Sequence, residues 1–334
     1  MLHLCHDDIV EVVSMADAID AIEQASKEQA SGDVIVGERQ NLRFPGGWIR
    51  LMPAAMAASR VFGYKQFHLA TIEGAASPEA HVRYTINLFD MDSGEPLCAM
   101  DANHLTALRT GAAAGVATAR LASPEAHELA LIGSGAEART QAEAVAAVRS
   151  ISRARVYGRD RDRRRRFASE MAERLGFEIE PVDGPERAIA GADIVVAATL
   201  TDGVPALLGR WLEVGQHVTS IGSTMPTQRE IDAEVWRRAT CIVVDTRGLL
   251  TESGDGIAAV EAGAIDESGI VELTELVAGQ ATGRLSPDDI TLYKSVGTGM
   301  QDLAVAYLAY RRARELGAGR EVPDHRSTKS VKPN

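Results

Sequence analysis

The segment Glu128–Gln141 reads Glu-Leu-Ala-Leu-Ile-Gly-Ser-Gly-Ala-Glu-Ala-Arg-Thr-Gln: an apolar strand, a Gly-x-Gly-x-x-Ala turn and a helix-forming stretch, with no gap between them. Gly133 permits the tight turn. Gly135 lets a pyrophosphate approach the backbone, and Ala138 is small enough for the helix to lie against the strand. The N–H groups at the helix start, with Ala136 and Glu137 in the first turn, form an anion site that the helix dipole strengthens. A glycine-rich turn alone is a weak signal, because such turns recur by chance. Here a strand precedes it, a helix follows and more alternating units continue downstream. The chain is therefore expected to bind a dinucleotide and to carry out redox chemistry.

Downstream, strand candidates fall at 128–132, 153–157, 177–181, 193–198, 217–221 and 240–244, with helices at 136–149, 160–174 and 228–238. A repeat of roughly 20–25 residues is that of βα units in a parallel sheet. Upstream the texture differs. Residues 14–31 form an amphipathic helix capped by Ser14 and ended by Gly32. Strands are expected over 34–44, 48–53, 61–72, 82–90 and 96–101, separated by Pro45-Gly46-Gly47, Gly74 and Asp92-Ser93-Gly94, which suits an antiparallel sheet. A small-residue helix over 103–122 and a last helix over 299–316 flank the βα region. The expected fold is α/β: a Rossmann-type dinucleotide-binding domain (123–299) plus an α+β substrate-binding and dimerisation domain made of 1–122 with 300–318. The polar tail 319–334 is expected to be poorly ordered. Two chain crossings favour a cleft at the junction.

Composition narrows the partners. The chain has 334 residues, 47 acidic and 35 basic, for a net charge of −12. That argues against nucleic acid, whose affinity rests on phosphate neutralisation. Cys5, Cys98 and Cys241 are scattered, show no metal-ligand spacing and suit a reducing compartment. No signal peptide and no membrane-spanning apolar run is apparent. A soluble cytoplasmic protein acting on a small molecule is expected.

The strand after the glycine turn, Arg153-Ala-Arg-Val-Tyr157, is followed by Gly158-Arg159-Asp160-Arg161. An acid at this strand end holds the ribose 2′-hydroxyl of NAD, whereas an arginine receives a 2′-phosphate. Gly158 stands at the acid's place and Arg159 follows, so NADP(H) is favoured over NAD(H). Asp160 either caps the next helix or reaches the ribose in an NAD enzyme.

Three cations stand out: Arg39 within Gly37-Glu-Arg-Gln40 on the first long strand, Lys65 within the otherwise apolar Phe62-Gly-Tyr-Lys-Gln-Phe67, and Arg109 within Leu105-Thr-Ala-Leu-Arg-Thr-Gly111 of an Ala-rich helix. Burying cations is costly unless an anion compensates. A carboxylate substrate clamped by the arginines explains them together, with Lys65 moving a proton. Singly, each has a bland alternative: Lys65 extends from its strand to solvent, and the arginines pair with acids such as Glu38 or Asp101.

Several short motifs, in one order and at consistent gaps, resemble the ornithine cyclodeaminase and μ-crystallin family over roughly 15–317. They are Arg39 with Leu51-Met-Pro-Ala54, Gly63-Tyr-Lys-Gln66, Leu105-Thr-Ala-Leu-Arg-Thr110, Leu131-Ile-Gly-Ser-Gly-Ala136, Ile221-Gly-Ser-Thr-Met-Pro226 with Arg229-Glu230, and Ser295-Val-Gly297 with Asp302. The resemblance implies a dinucleotide domain plus a substrate domain whose sheet pairs across a homodimer. It implies that Arg39 and Arg109, with Met52 beside them, hold the substrate carboxylate and that Lys65 is the catalytic acid/base. Thr110, Gly133, Gly135, Ala136, Glu137, Arg159, Asp160, Thr199, Ser223, Met225, Val296 and Gly297 would contact the cofactor. Family members that cyclise ornithine or lysine carry an aspartate two residues before the proline of the Gly-x-x-x-Pro segment. Thr224 stands there in this chain, and its hydroxyl is no base near neutral pH. The expectation is therefore NAD(P)H-dependent reduction of a small 2-imino carboxylate, without a metal. An alanine-type dehydrogenase, a cyclodeaminase (disfavoured by Thr224) and a non-catalytic dinucleotide-binding protein are the alternatives.

Overall fold

The computed structural model describes residues 1–71 and 80–323. In chain order the first part runs β1 (Leu2–Leu4), α1 (His6–Val12), α2 (Met15–Ala30), β2 (Val34–Val36), β3 (Gln40–Phe44), β4 (Gly47–Met56), β5 (Val61–Thr71), β6 (Ala80–Asp90), β7 (Pro96–Asp101) and α3 (Asn103–Leu121). The next is β8 (Glu128–Ile132), α4 (Ala136–Val148), β9 (Arg153–Tyr157), α5 (Arg161–Leu175), β10 (Glu178–Pro181), α6 (Pro185–Ile189), β11 (Ile194–Ala197), β12 (His217–Ser220) and α7 (Ala233–Arg238). The chain ends with β13 (Cys241–Val244), α8 (Leu249–Glu252), α9 (Gly254–Glu261), β14 (Ile270–Glu272), α10 (Leu273–Val277), β15 (Thr291–Lys294), α11 (Gly299–Leu316) and β16 (Arg320–Glu321).

Two sheets organise these elements. The first has the order β16-β1-β7-β6-β5-β4-β2, with β3 also paired to β4. It is antiparallel except where β1 joins β7. The second has the order β10-β9-β8-β11-β12-β15-β13-β14 and is parallel throughout. Its order reverses between β8 and β11, and that switch point opens a crevice at the strands' carboxyl ends.

The helices obey local chemistry. Ser14 starts α2 by accepting from the Asp17 N–H in a reciprocal capping box. Thr298 does the same for α11 with Gln301, and Gly317 ends that helix with φ 68°. Small residues let α3 sit between neighbours: a Cβ at Gly111 would strike the Thr140 carbonyl of α4. The helices α2, α3 and α11 pack their apolar faces on the first sheet in one core that includes Ile22, Ile86, Leu105, Val116, Leu303 and Val305. Among the described residues no helix is long and apolar enough to cross a membrane.

Three expectations need correction, and one segment is an addition. The strand expected over 34–44 breaks at 37–39, because Gly37 N–H bonds the Pro53 carbonyl and a Cβ at Gly37 would meet Pro53 Cγ at 2.7 Å. Arg39 therefore lies in the connection between β2 and β3. The helix expected over 228–238 begins only at Ala233, where Asp232 caps it by accepting from Val235 N–H. The first part of the tail is ordered: Arg320 and Glu321 pair antiparallel with His3 and Leu2. The segment 1–12, unread from the sequence, forms a strand and a helix; β1 is only three residues and needs β7 and β16 beside it. The Gly74 turn and residues 324–334 lie outside the described residues.

Candidate active site

The glycine turn sits at the crevice. Gly133 has φ 122°, and a Cβ there would collide with the carbonyl of Ala198, which follows β11. Only glycine fits so close an approach of two strand ends. Gly135 is the N-cap of α4 and supplies no side-chain hydrogen bond, so the helix-start N–H groups remain available to an anion. A Cβ on Gly135 would meet nothing nearer than Arg163 Nη2 at 3.6 Å, so the backbone is open to a ligand on that side. These features fit a dinucleotide pyrophosphate.

The end of β9 lies alongside. A Cβ at Gly158 would reach Ser134 Oγ at 2.5 Å, so the residue at the usual acid position packs directly on the glycine turn. Arg159 donates to the Leu200 carbonyl at 3.3 Å, and Arg163 donates to the Ser134 carbonyl at 3.3 Å. Arg163 thus lies on the turn, and Arg159 on the loop that follows β11. Asp160 accepts the Arg163 N–H at 2.8 Å as the cap of α5, and that bond lowers its pKa.

Three loops complete the crevice, each tied down by a buried acid. Glu230 accepts from Thr199 N–H (2.6 Å), Thr199 Oγ1 (2.8 Å), Ser220 Oγ (2.7 Å) and Gly222 N–H (2.7 Å). Asp255 accepts the N–H groups of Glu230 and Ile231 and pairs with Lys294 at 3.3 Å. Asp245 accepts from Ser295 Oγ, Val296 N–H and Gly297 N–H. Thr199, Val296 and Gly297 are thereby fixed at the carboxyl ends of the parallel strands. Ser223 Oγ donates to the Gln228 carbonyl, and the Gln228 amide oxygen accepts from Thr224 N–H and Met225 N–H. Thr110 Oγ1 donates to Thr106 within α3 at 2.7 Å, leaving its oxygen free to accept.

The cations converge against this crevice. Period-two alternation on β5 turns Val61, Gly63 and Lys65 toward the core helices and Phe62 and Tyr64 to the opposite face. Lys65, paired in register with Met52 and Ile86, is 2% exposed. Its ammonium donates to Asp302 Oδ1 at 2.8 Å and lies 5.7 Å from the Tyr84 ring centre. Arg109 Nε is 2.8 Å from the same Asp302 oxygen, and its Nη1 donates to Gln301 Oε1 at 3.0 Å. Arg39 pairs with Glu252 and donates to the Gly297 carbonyl. Gly297, at φ 81°, leaves no room for a Cβ because the Arg109 guanidinium occupies that space. Arg39 and Arg109 therefore both lie against Gly297. Arg50 adds a fourth cation, stacked 5.2 Å from the Trp48 ring centre and donating to Met225 Sδ at 3.4 Å.

The electrostatics follow from crowding. Burial first, then the neighbouring Arg109, pull the Lys65 pKa down to about 8 against the opposing pull of Asp302. Burial and Arg39 bring Arg50 down to about 10. Two buried cations share one carboxylate, and Asp302 Oδ2 has no hydrogen-bond partner. The cage has positive charge to spare for an incoming carboxylate.

The partners foreseen for the cations, Glu38 and Asp101, are not the ones used. Asp302, Glu252, Gln301, Tyr84 and Arg50 surround the site, and of these only Asp302 had been singled out, as a motif residue without a partner. The signal for its role is an acid in the first turn of a helix, directly before the apolar run Leu303–Ala309. Of the Glu230–Asp255–Lys294 network only Glu230 was named, as a motif residue, and its partners carried no local signal.

The comparisons with known proteins agree with this geometry. The chain is 31% identical over 326 residues to a Delta(1)-pyrroline-2-carboxylate reductase of Bacillus cereus, covering 96% of this chain and 99% of that one. The solved structure of Thermococcus litoralis Delta(1)-pyrroline-2-carboxylate reductase, in complex with NADH and L-proline, matches with a TM-score of 0.90 and 38% identity over 96% of this chain and 100% of that one. An archaeal alanine dehydrogenase dimer with bound NAD matches with a TM-score of 0.88 and 30% identity, over 97% and 99% of the two chains. The model of the ornithine cyclodeaminase/mu-crystallin family matches residues 1–317, and the chain belongs to that family.

Proposed function

We propose that this protein is an NAD(P)H-dependent oxidoreductase that reduces a small 2-imino carboxylate, cyclic or open, to the amino acid. The observation that carries this reading is the meeting of Lys65 and Arg109 on Asp302, and of Arg109 and Arg39 on Gly297, beside the dinucleotide crevice. When bound, the reduced nicotinamide supplies hydride. Arg109 and Arg39 hold the substrate carboxylate. Lys65, kept cationic by Asp302, places positive charge beside the C=N bond, where an iminium is a better hydride acceptor than a neutral imine. Gly133, Gly135, Ala136, Thr110, Thr199, Ser223, Met225 and Val296 line the cofactor's path.

NADP(H) is the proposed preference. Gly158 cannot present a carboxylate to a ribose, and Arg159 and Arg163 follow it at the end of β9, where a 2′-phosphate would lie. The proposed domain division is 123–299 against 1–122 with 300–318. A homodimer through the outer face of the first sheet is proposed as well: Phe62 stacks on Phe89 there, and Phe62 and Ile35 are 38% and 71% exposed. The free thiols Cys5, Cys98 and Cys241 suit a reducing compartment, with the cytoplasm as the proposed location.

The test is cofactor depletion with about a dozen imino and keto acids, each run with NADPH and NADH. Ammonia-independent oxidation of NADPH by a cyclic imino acid is expected. Consumption that requires ammonia and a keto acid would identify an amino-acid dehydrogenase instead. No turnover with any imine would overturn the reading.

A further inference from the structure

Glu137 is a carboxylate whose place in the fold is not explained by its partners. It is the second residue of α4, immediately past the glycine turn. Its Oε2 is closed off from solvent and has no hydrogen-bond partner. The charges that act on it are those of Arg109 and Lys65. Both are already engaged, Lys65 on Asp302 and Arg109 on Asp302 and Gln301. Its field also reaches Tyr84, across the cage. Glu137 thus looks into the substrate cage from the cofactor helix, while Asp302 closes the cage from α11.

A buried carboxylate oxygen without a donor is costly, on the order of 1–3 kcal/mol or more. Neutralising the cage would require a bond to one of its cations, and none is made. Capping α4 would require a bond back to Gly135, and that N-cap has no side-chain partner. What Glu137 lacks is a partner on the pocket side. The nitrogen of a 2-imino carboxylate, docked by its carboxylate on the arginines, is such a partner: as the imine it accepts from a protonated Glu137, and as the iminium or the amine it donates to the carboxylate.

We propose that Glu137 holds the proton on the substrate nitrogen. This rests on the imine-reductase reading above and assigns the nitrogen end of that same site. A proton passes from the Glu137 carboxyl to the imine nitrogen, giving an iminium paired with the Glu137 carboxylate. Hydride then forms the new C–H bond as the C=N π pair withdraws onto nitrogen, so the imine is reduced and the dihydronicotinamide oxidised. Glu137 regains its proton from solvent. Burial raises the Glu137 pKa, against the pull of Arg109 on α3 and Lys65 on β5, and so favours the protonated carboxyl. Tyr84 on β6, Asp302 on α11, and Arg39 and Arg50 are the other ionisable groups of the cage.

The isosteric Glu137→Gln variant tests this in two ways, with thermal melting to check its fold. First, calorimetry with NADPH present compares L-proline with tetrahydrofuran-2-carboxylate, which has oxygen where the nitrogen stands. Wild type is expected to prefer proline by about tenfold or more, and Glu137→Gln to bind the two nearly alike. Second, turnover of Δ1-pyrroline-2-carboxylate is followed from acid to alkaline pH. The variant's deficit is expected to be about tenfold or more in alkali and to close to within about threefold in acid, where the imine arrives already protonated. A proline preference retained by Glu137→Gln, or a deficit that is absent or the same at every pH, overturns the assignment of Glu137 alone. A wild type that turns over no imine at any pH overturns the reading beneath it.

Discussion

Two buried charge clusters, one around Glu230 and one around Lys65, differ in completeness. Around Glu230 each carboxylate oxygen receives two donors, and the neighbouring Asp255 pairs with a fully buried lysine. Around Lys65 one carboxylate serves two cations while Asp302 Oδ2 and Glu137 Oε2 go without partners. Polar groups buried for the fold's sake are normally satisfied within it. Glu230 meets that standard and its four donors hold loops in place, while Asp255 Oδ2 beside it has the ion pair with Lys294 and no hydrogen bond. The second cluster falls short of it by about what an amino- or imino-carboxylate would supply, an anion at one end and an N–H at the other. Incompleteness, rather than burial or charge as such, separates a site from a brace.

That contrast can be broken experimentally. The largest effect is expected for Lys65→Met, which should lower kcat by about 10²–10⁴-fold while leaving NADPH binding intact. In wild type the ammonium form is the working one. It is present below the depressed pKa of about 8, so turnover should fall as pH rises through that value; turnover that rises there would assign Lys65 the opposite protonation state. Next comes the brace. Glu230→Ala strands four buried donors and should cost about 3–5 kcal/mol, seen as a fall in Tm of roughly 10 °C. A variant that melts like wild type but loses turnover would make Glu230 part of the site instead. The smallest effect is expected for Arg159→Ala. It should reduce the NADPH:NADH ratio of kcat/KM by about tenfold, or roughly 1.4 kcal/mol, and an unchanged ratio would remove Arg159 from cofactor choice.

How far the sequence could be read depended on the distance over which each feature is determined. The glycine turn, its strand and its helix are contiguous, so backbone chemistry alone predicts them. Strands β5, β6 and β7 alternate clearly between turn residues and were legible within one or two positions. The cations were legible as anomalies, since an arginine in an alanine-rich helix demands an explanation. Their partners were not. Asp302 is 237 residues from Lys65, and nothing local says that α11 returns to cover β5. The break that takes Arg39 off a strand arises from Pro53 on the neighbouring strand. Likewise β1 exists only because β7 and β16 flank it. That a glycine stands at position 158 has a reason only the structure supplies: a Cβ there would strike Ser134 Oγ.

Gly297 has a consequence for how the two ligands would be felt together. Its carbonyl is bonded by Arg39 and its missing side chain makes room for Arg109, so in the proposed reading a single residue separates nicotinamide from substrate carboxylate. Neither ligand can settle without pressing on that shared wall. By linkage, the factor by which the nucleotide alters affinity for the amino acid must equal the factor by which the amino acid alters affinity for the nucleotide. The two binding constants are then not independent properties of the enzyme, and a substitution at this wall changes both by way of one coupling energy.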